Sequence, residues 1–348
     1  PDLVDVWPAW VPRLKEGLQD LGPSLEAWPE RHRYDPSHLE LSRSVDRIPW
    51  FLACDLFIQG THYRRDLVEA AGLEDPRELD RRGEWTLETF TEYARSLHDP
   101  GNGITGLTLR GGQGAELTPL NLMVSANSGR LFDNDGICLL DSPEAVRALE
   151  AYVTLAHPLH LAQTNAATEG YREFAWRFYE GKAALMLHND DASKAVQNRY
   201  LGPEKYGSCR LPSTTGDPWV GLAGFGLGAT RHSPLAAEAA RYVLFFVEHY
   251  GQHLNLGTRA SGEAKTQSAD CRPMHPWPPE RNPFLEPFRD ILEKRDRLYP
   301  LPWGSPDFGR IVQSVLQPDL SRLLAGEGDP AETATRWARE LTGMRGPV

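Results

Sequence analysis

The stretch Ile48-Pro-Trp-Phe-Leu-Ala-Cys54 is the most informative part of the sequence for the fold. It is an apolar run bounded by charged residues, which is typical of a buried strand in an α/β sheet. A second run of this kind follows near Leu56 to Tyr63. The opening segment, Pro1 to Trp7, predicts a short strand that leads into a helix around Trp10 to Leu21.

Helices are predicted between and after these strands. Thr86 is a candidate N-cap before a helically spaced apolar series, and Ser142 is another, with Pro143 at the first helical position. A longer helix is predicted from Leu235 to Leu254, and two or three more from Phe308 to Leu341. Strands that alternate with helices predict an α/β architecture.

The bulk composition is that of a globular protein with two domains. The chain has 348 residues, 40% hydrophobic and 24% charged, and domains hold about 100–200 residues each. A net charge of −11, from 37 basic and 48 acidic residues without a basic stripe, argues against binding to nucleic acid. No apolar run approaches the roughly 20 residues that a membrane-spanning helix needs.

Metal-binding and redox motifs are not predicted. The four cysteines, which allow up to two disulfides in three possible pairings, are too far apart for a CxxC motif: Cys54, Cys138, Cys209 and Cys271. His62, His188 and His249 lack the partner spacing of a zinc site. We therefore expect no metal and no cofactor.

A series of motifs occurs in a fixed order along the whole chain. In order they are Pro1-Asp-Leu-Val-Asp-Val with Trp10, Ile48-Pro-Trp, Tyr63-Arg-Arg-Asp-Leu67, Ala70-Ala-Gly-Leu73, Trp85-Thr-Leu-Glu-Thr-Phe90, Ala126-Asn-Ser-Gly-Arg-Leu-Phe-Asp133, Asp141-Ser-Pro-Glu-Ala-Val146, Phe178-Tyr-Glu-Gly-Lys-Ala-Ala184 and Gly221 to Gly228. Together they resemble the family 1 extracellular solute-binding proteins, which include maltose-binding protein.

The resemblance implies a two-lobed periplasmic-binding-protein-like fold of type II. In that fold hinge strands cross between the lobes, here near 54–58, 221–228 and 298–303. The N-terminal lobe would then comprise residues 1–54 plus 226–298, and the C-terminal lobe residues 55–225 plus 299–348. Family members begin with a strand-helix-strand unit ahead of the position of Pro1, so we expect the N-terminal lobe to lack that unit.

The same resemblance implies a non-catalytic function. The protein is expected to be the extracytoplasmic substrate-binding component of an ABC importer, either in the periplasm or as a lipoprotein on the cell surface. Its ligand would be a mono- or oligosaccharide held between the lobes. Its partner would be the membrane permease, and we expect a monomer.

Candidate ligand contacts follow from the chemistry of sugars. Sugar rings present apolar faces and a girdle of hydroxyl groups, so their sites combine aromatic platforms with planar polar side chains. Several residues suited to this chemistry fall where the resemblance puts ligand contacts. The full set of candidates is Trp7, Trp10, Asp55, Arg110, Gln113, His188, Asn189, Asp190, Asp191, Trp219, Phe225, Trp303 and Arg310.

Several of these candidates also have a purely structural interpretation. Trp10 is compatible with a core position, and Asp55 with a structural hydrogen bond. The loop that begins at Arg110 is compatible with a surface turn. Asp190 and Asp191 suit the cap of a helix that starts at Ala192.

Other classes of function remain open at the level of sequence. Thiaminase I shares the implied fold, and its nucleophilic cysteine lies about where Cys54 stands, with Asp190 or Asp191 in reach to activate it. A reactive thiol needs exposure and a lowered pKa, whereas Cys54 in an apolar run also suits a buried, inert position. A glycosidase would need two suitably spaced carboxyl groups, and an interaction protein would have a degenerate cleft.

Overall fold

The computed structural model describes residues 1–190, 201–259 and 286–344. Within these ranges the chain forms an α/β structure with one three-stranded, one four-stranded and one two-stranded sheet. The strands in chain order are β1 (Leu3–Val6), β2 (Leu52–Leu56), β3 (Gln59–Arg64), β4 (Thr105–Thr108), β5 (Ala183–Asn189), β6 (Tyr206–Arg210), β7 (Val220–Gly221), β8 (Gly224–Ala229) and β9 (Leu298–Tyr299).

Helices cover the faces of these sheets. In chain order they are α1 (Val11–Leu14), α2 (Gly22–Glu26), α3 (Pro36–Ser42), α4 (Arg65–Ala70), α5 (Pro76–Arg81), α6 (Leu87–Ser96), α7 (Leu117–Ala126), α8 (Pro143–Thr154), α9 (Tyr171–Tyr179), α10 (Ala236–Arg259), α11 (Glu286–Lys294), α12 (Phe308–Ile311), α13 (Gln317–Leu324) and α14 (Pro330–Leu341). None of the described helices has the length and apolar character needed to cross a membrane.

The three-stranded sheet has the order β1-β8-β2, with β8 antiparallel to both neighbours. Leu52 and Cys54 of β2 share a buried cluster with Val243 and Val247 of α10. This alternation of inward side chains is what places α10 on one face of the sheet. A register shift between Ala53 and Asp55 marks a bulge near the end of β2.

The four-stranded sheet has the order β4-β5-β3-β6 and is mixed. Strand β4 is parallel to β5, while β3 is antiparallel to both of its neighbours. Helix α11 packs against β6 and β3, where Phe288 stacks on His62 with ring centroids 5.6 Å apart. The lobe division expected from the sequence assigns α11 to the N-terminal lobe, and the boundaries of the lobes stay a prediction.

Among the described residues two segments join the two larger sheets, and the short strand β9 lies beside them. The chain leaves the first sheet at Leu56 and enters the second at Gln59, and the Phe57 amide donates to the Ala223 carbonyl at 2.8 Å. The short strand β7, just before β8, pairs in parallel with β9. These segments lie side by side, so a relative rotation of the sheets would be taken up by a few residues.

Buried Asn121 of α7 connects these segments. Its side-chain amide donates to Gln59 Oε1 at 2.9 Å. Its Oδ1 accepts from the Gly221 amide at 2.9 Å and from the Tyr299 hydroxyl at 2.8 Å. A single side chain thereby links α7 to β3, β7 and β9.

Two predicted helix caps are confirmed, and one predicted helix is wrong. The caps are confirmed, because Thr86 accepts from the Thr89 amide and Ser142 from the Ala145 amide. The helix predicted around Trp10 to Leu21 is wrong: short turns surround the four-residue α1 instead. Leu18 forms a bridge with Thr230 at the edge of the first sheet, and this pairing requires extended backbone.

The apolar run that starts at Ile48 also begins its strand later than expected. The strand β2 starts at Leu52, because Pro49 has no amide hydrogen to donate to a ladder and Trp50 turns back to donate to the Ile48 carbonyl at 2.9 Å.

Cys54, Cys138 and Cys209 are buried and carry no disulfide. Cys271 lies outside the described residues.

Candidate functional site

A cavity of about 360 Å³ opens between the first sheet and the start of α7. This volume lies near the lower end of the roughly 300–1,000 Å³ range of ligand pockets. It is bounded by β1 and the turn after it, by residues 113–117, and by the segment from Trp303 to Gln317. The side chains that line it include Asp5, Trp7, Trp10, Gln113, Glu116, Leu117, Phe225, Trp303, Phe308, Val312, Gln313 and Gln317.

Aromatic rings form one wall of this cavity. Trp303 lies edge-on to Trp7 at 5.5 Å between centroids and edge-on to Phe308 at 5.2 Å. Its indole Nε1 donates to the Leu222 carbonyl at 2.8 Å, which fixes the ring on the connecting segment. Phe225, in the central strand β8, continues the wall. Packed and hydrogen-bonded rings of this kind present rigid apolar faces to a ligand.

Trp10 is the most exposed of these rings. It ends the turn Pro8–Trp10 that follows β1, and 48% of its surface is exposed. It therefore does not occupy the core position that the sequence left open. A large indole that stays accessible at a cavity rim is suited to stack against a flat apolar face.

A glycine-rich loop forms the opposite side. Gly111 and Gly112 pass so close to the backbone at Ala167 and Glu169 that a Cβ atom on either would clash with a carbonyl oxygen. Arg110 fastens the loop, because it donates to the Gly114 carbonyl at 2.8 Å and its guanidinium lies over the Tyr171 and Phe174 rings. This arrangement places Gln113 and Glu116 at the cavity.

Two carboxyl groups face the cavity, and sequence reasoning missed both. Asp5 lies on β1 and is exposed at the rim, where partial desolvation raises its pKa. Glu116 precedes α7 and is only 5% exposed. Burial raises the pKa of the Glu116 carboxyl more than a hydrogen bond from its own backbone amide and the Arg110 charge lower it. Glu116 Oε2 has no hydrogen-bond partner within the described structure. An acid between a glycine-rich loop and an apolar helix was the available signal for Glu116.

The cavity thus brings together Trp7, Trp10, Gln113, Phe225 and Trp303 of the residues predicted from the sequence. Phe308, Gln313 and Gln317 also line it and were not predicted. They lie on short helical segments near the C-terminal end, whose faces are set by tertiary packing. Periodicity within such short segments does not reveal which side meets the cavity.

Four predicted residues lie at the junction of β2, β3 and β5, outside the lining of this cavity. Asp55 is partly buried on β2, paired in register with Phe225. His188 is buried beside the Tyr171 and Phe174 rings. Asn189 ends β5. The buried Asp190 donates its amide to the Ile58 carbonyl at 2.9 Å. Asp191 lies outside the described residues.

Trp219, Arg310 and Arg110 also lie outside the cavity lining. The Trp219 ring packs under the Arg297 guanidinium at 5.2 Å. Arg310 is exposed and pairs with Asp307 at 3.1 Å. A role in binding for these three residues stays a prediction.

The environment of Cys54 argues against the enzymatic alternative. Its thiol is buried and donates to the Leu52 carbonyl at 3.4 Å. Burial raises the pKa of this thiol, and the Asp55 and Asp5 carboxyl groups raise it further. A nucleophilic cysteine needs the opposite conditions, so Cys54 has the character of an inert core residue. Among the described residues no group of three potential metal ligands occurs either.

Comparison with known sequences gives a consistent assignment. A family model described as bacterial extracellular solute-binding protein matches residues 1–252. The putative ABC transporter periplasmic-binding protein YcjN of Escherichia coli is 27% identical over 161 residues, which is 45% of this chain and 34% of that protein. The mannitol-binding protein of Pseudomonas aeruginosa is 31% identical over 141 residues, 40% of this chain and 30% of that protein. The matches thus span about a third of these relatives.

Solved structures with the same fold cover nearly the whole chain. An ABC transporter solute-binding protein of Thermotoga lettingae bound with α-D-tagatose aligns with a TM-score of 0.75 and 19% identity, over 99% of this chain and 86% of that one. Maltose-bound MalE3 of T. maritima aligns with a TM-score of 0.77 and 21% identity, over 98% and 84%. The two-lobed type II architecture predicted from the sequence is thereby confirmed.

Proposed function

The chain belongs to the bacterial extracellular solute-binding proteins, and from this premise we propose that it captures a carbohydrate for an ABC importer. The ligand would be a mono- or oligosaccharide or a related polyol. The relatives support this class, since one is named for mannitol and the structures hold tagatose and maltose. The thiaminase alternative has no support in these comparisons.

The observation that carries the proposal is the composition of the cavity. Accessible and packed aromatic rings stand beside carboxyl and amide groups, as the faces and hydroxyl groups of a sugar require. Trp10 and Phe225 belong to the first sheet and its following turn, whereas Gln113 and Glu116 belong to the segment after β4. By the lobe boundaries that we propose, Trp10 lies in the N-terminal lobe and Gln113, Glu116 and Phe225 lie in the C-terminal lobe, so a ligand here would contact both.

Closure follows from that placement. Contacts made by both lobes exist together only when the cleft is closed, so a ligand shifts the population toward the closed form. The crossings near 54–58, 221–228 and 298–303 are proposed to absorb the change in backbone dihedral angles. The closed form then presents the outer surfaces of both lobes to the membrane permease.

The remaining features of the proposal follow from the family. An extracellular solute-binding protein works outside the cytoplasm, and we propose the periplasm or a lipid-anchored position on the cell surface. It would act as a monomer and transfer its ligand unchanged, without catalysis. The lobe boundaries at residues 54, 225 and 298 are part of this proposal.

The predicted site residues enter the proposal in two groups. Trp7, Trp10, Gln113, Phe225 and Trp303 are proposed as ligand contacts of the observed cavity. The others are proposed as contacts that a closed cleft would bring in, and they are Asp55, Arg110, His188, Asn189, Asp190, Asp191, Trp219 and Arg310.

A thermal-shift screen over a library of neutral, amino and acidic sugars and polyols tests the function. A ligand at about 100 times its Kd adds about 2.7 kcal/mol to the free energy of unfolding, which is easily detected. We expect at least one saturable hit, recovered chemically unchanged after incubation. A library without hits, or a hit that is hydrolysed, would remove the carbohydrate-capture function.

A further inference from the structure

The ionisable side chains in the described lining of the cavity are both acidic. Among the described residues that line it, Asp5 and Glu116 are the ionisable side chains, and the other polar side chains are the amides of Gln113, Gln313 and Gln317. No Lys, Arg or His is in this lining. Within the described lining a ligand therefore meets two carboxyl groups and no basic side chain, and Arg110 lies behind the loop that carries Glu116.

Glu116 is the more unusual of the two acids. It is more than nine-tenths buried, and its Oε2 has no hydrogen-bond partner within the described structure. The cation that acts electrostatically on Glu116 is Arg110. Its guanidinium donates to the Gly114 carbonyl and lies over two aromatic rings. A buried carboxyl oxygen without a donor is costly, so a partner supplied by the ligand relieves that cost.

The aromatic wall has the same preference in charge. The faces of Trp and Phe rings are negative, and they attract an ammonium group within about 6 Å of the ring centroid. Trp10 offers an accessible indole at the rim, and Trp7 and Phe225 stand deeper in the same cavity. Rings that stack on a sugar thus also stabilise a cation attached to it.

An anionic ligand suits this cavity poorly. The positive end of α7 would attract an anion, but Glu116 already occupies the position before its first turn. Arg310, the cation on the neighbouring helix α12, is exposed and paired with Asp307. A uronate or a sugar phosphate would bring a second negative charge close to carboxyl groups in a partly desolvated space.

From these observations we propose that the ligand is an amino sugar or an amino polyol, bound with its ammonium group between the aromatic wall and the carboxyl groups of Glu116 and Asp5. The inference rests on the proposed function and narrows it from carbohydrates in general to those that carry a positive charge. The hydroxyl groups of the ligand would meet the three glutamine amides.

The test is calorimetric titration of the whole protein with matched pairs that differ only in one substituent. Suitable pairs are glucose and glucosamine, galactose and galactosamine, and glucitol and its 1-amino derivative, all at a pH where the amine is protonated. Glucuronate and N-acetylglucosamine are added as the anionic and the neutralised forms. In a pair that binds, we expect the amine to bind at least tenfold more tightly than the neutral compound.

Variants connect the preference to the site. Glu116→Gln is expected to reduce the advantage of the amine at least fivefold while the neutral partner changes less than threefold. Glu92→Gln, an exposed acid on α6, is the matched control and should leave every affinity unchanged. An advantage that survives Glu116→Gln undiminished would assign the charge selection elsewhere and overturn the inference.

The outcomes separate the inference from the function on which it rests. A neutral sugar or polyol that binds as tightly as its amine, or glucuronate that binds as well, overturns the charge preference and leaves carbohydrate capture standing. Absence of binding by every compound in the set counts against both. A selective loss of affinity on N-acetylation supports the inference, because acetylation removes the charge and keeps the ring.

Discussion

Asn121 in α7 and Glu116 just before that helix are both buried polar residues, but they differ in their hydrogen bonding. Both polar atoms of the Asn121 side chain have hydrogen-bond partners, which are Gln59, Gly221 and Tyr299. Glu116, just before the helix, has a buried carboxyl oxygen without a partner and lines the cavity. A side chain whose polar atoms all have partners fixes one arrangement of the backbone around it, whereas an unsatisfied group costs stability and persists where a function needs it.

This difference separates a stabilising region from a binding region on one element. The network at Asn121 holds the segments that connect the two larger sheets. The unpartnered Glu116 oxygen lowers the stability of the free protein, and a ligand that supplies a donor removes this cost. Mutations in the first region should therefore act on unfolding, and mutations in the second mainly on affinity.

The largest effect is expected from Asn121→Ala. The substitution removes the partner of the Gly221 amide, the Tyr299 hydroxyl and Gln59 Oε1, which should lower the free energy of unfolding by about 3 kcal/mol. Urea denaturation measures the loss. Asn102→Ala, at an exposed turn, is the control and should change it by less than about 0.5 kcal/mol. A loss no larger than that of Asn102→Ala would show that the bonds of Asn121 do not stabilise the fold.

Trp10→Ala should act on affinity. The indole is 48% exposed, so its removal costs little in the free protein, but it takes away the accessible aromatic face of the cavity. We expect the affinity for the best ligand of the library to fall about tenfold or more, equivalent to about 1.4 kcal/mol. Tyr242→Ala, on α10 and 45% exposed, offers a similar aromatic surface away from the cavity and should not change the titration.

Glu116→Gln should stabilise the free protein, and the gain should depend on pH. Burial raises the pKa of the folded-state carboxyl, so the stability that this group contributes is present below the unfolded pKa and lost as pH rises through the folded pKa. The variant cannot ionise at this position, so its free energy of unfolding should be about 1–2 kcal/mol higher than that of the parent at neutral pH.

The gain should vanish near pH 4, below the pKa of about 4.3 of an unfolded glutamate. Urea denaturation of both proteins at the two pH values gives the difference. A variant that is less stable than the parent at neutral pH would show that Glu116 already has a stabilising partner.

The smallest change is expected from Ser142→Ala. Ser142 caps α8 by accepting from the Ala145 amide at 3.1 Å, and its hydroxyl also donates to Asn127 at 2.8 Å. Loss of this cap should cost about 1 kcal/mol of unfolding free energy. Because α8 does not line the cavity, the affinity for the best ligand should stay the same, and a weaker titration would mean that binding depends on global stability.

Much of the fold was predictable because local chemistry determines it. Ser142 followed by Pro143, and Thr86 before an apolar series, set the starts of α8 and α6 in any context. The error around Trp10 to Leu21 has another origin. That segment returns to pair Leu18 with Thr230, and a contact between residues so distant in sequence leaves no local periodicity.

The site was predictable to a smaller extent. Large aromatic residues at motif positions identified the wall that contains Trp7, Trp10 and Trp303. Glu116 was missed because its importance comes from burial and a missing partner, and neither can be read from residue type. Whether Trp219 lies near the ligand or under Arg297 is likewise decided by packing alone.

The edge-on pair of Trp7 and Trp303 also gives the protein an intrinsic spectroscopic probe of sheet rotation. One indole follows the first strand, and the other lies after β9 and donates to Leu222 in a segment that connects the sheets. Their planes make an angle of 77°. Coupling between two such chromophores depends on their mutual angle, so the near-ultraviolet circular dichroism spectrum should change when one sheet rotates against the other. The motion can therefore be followed in solution without attaching a dye.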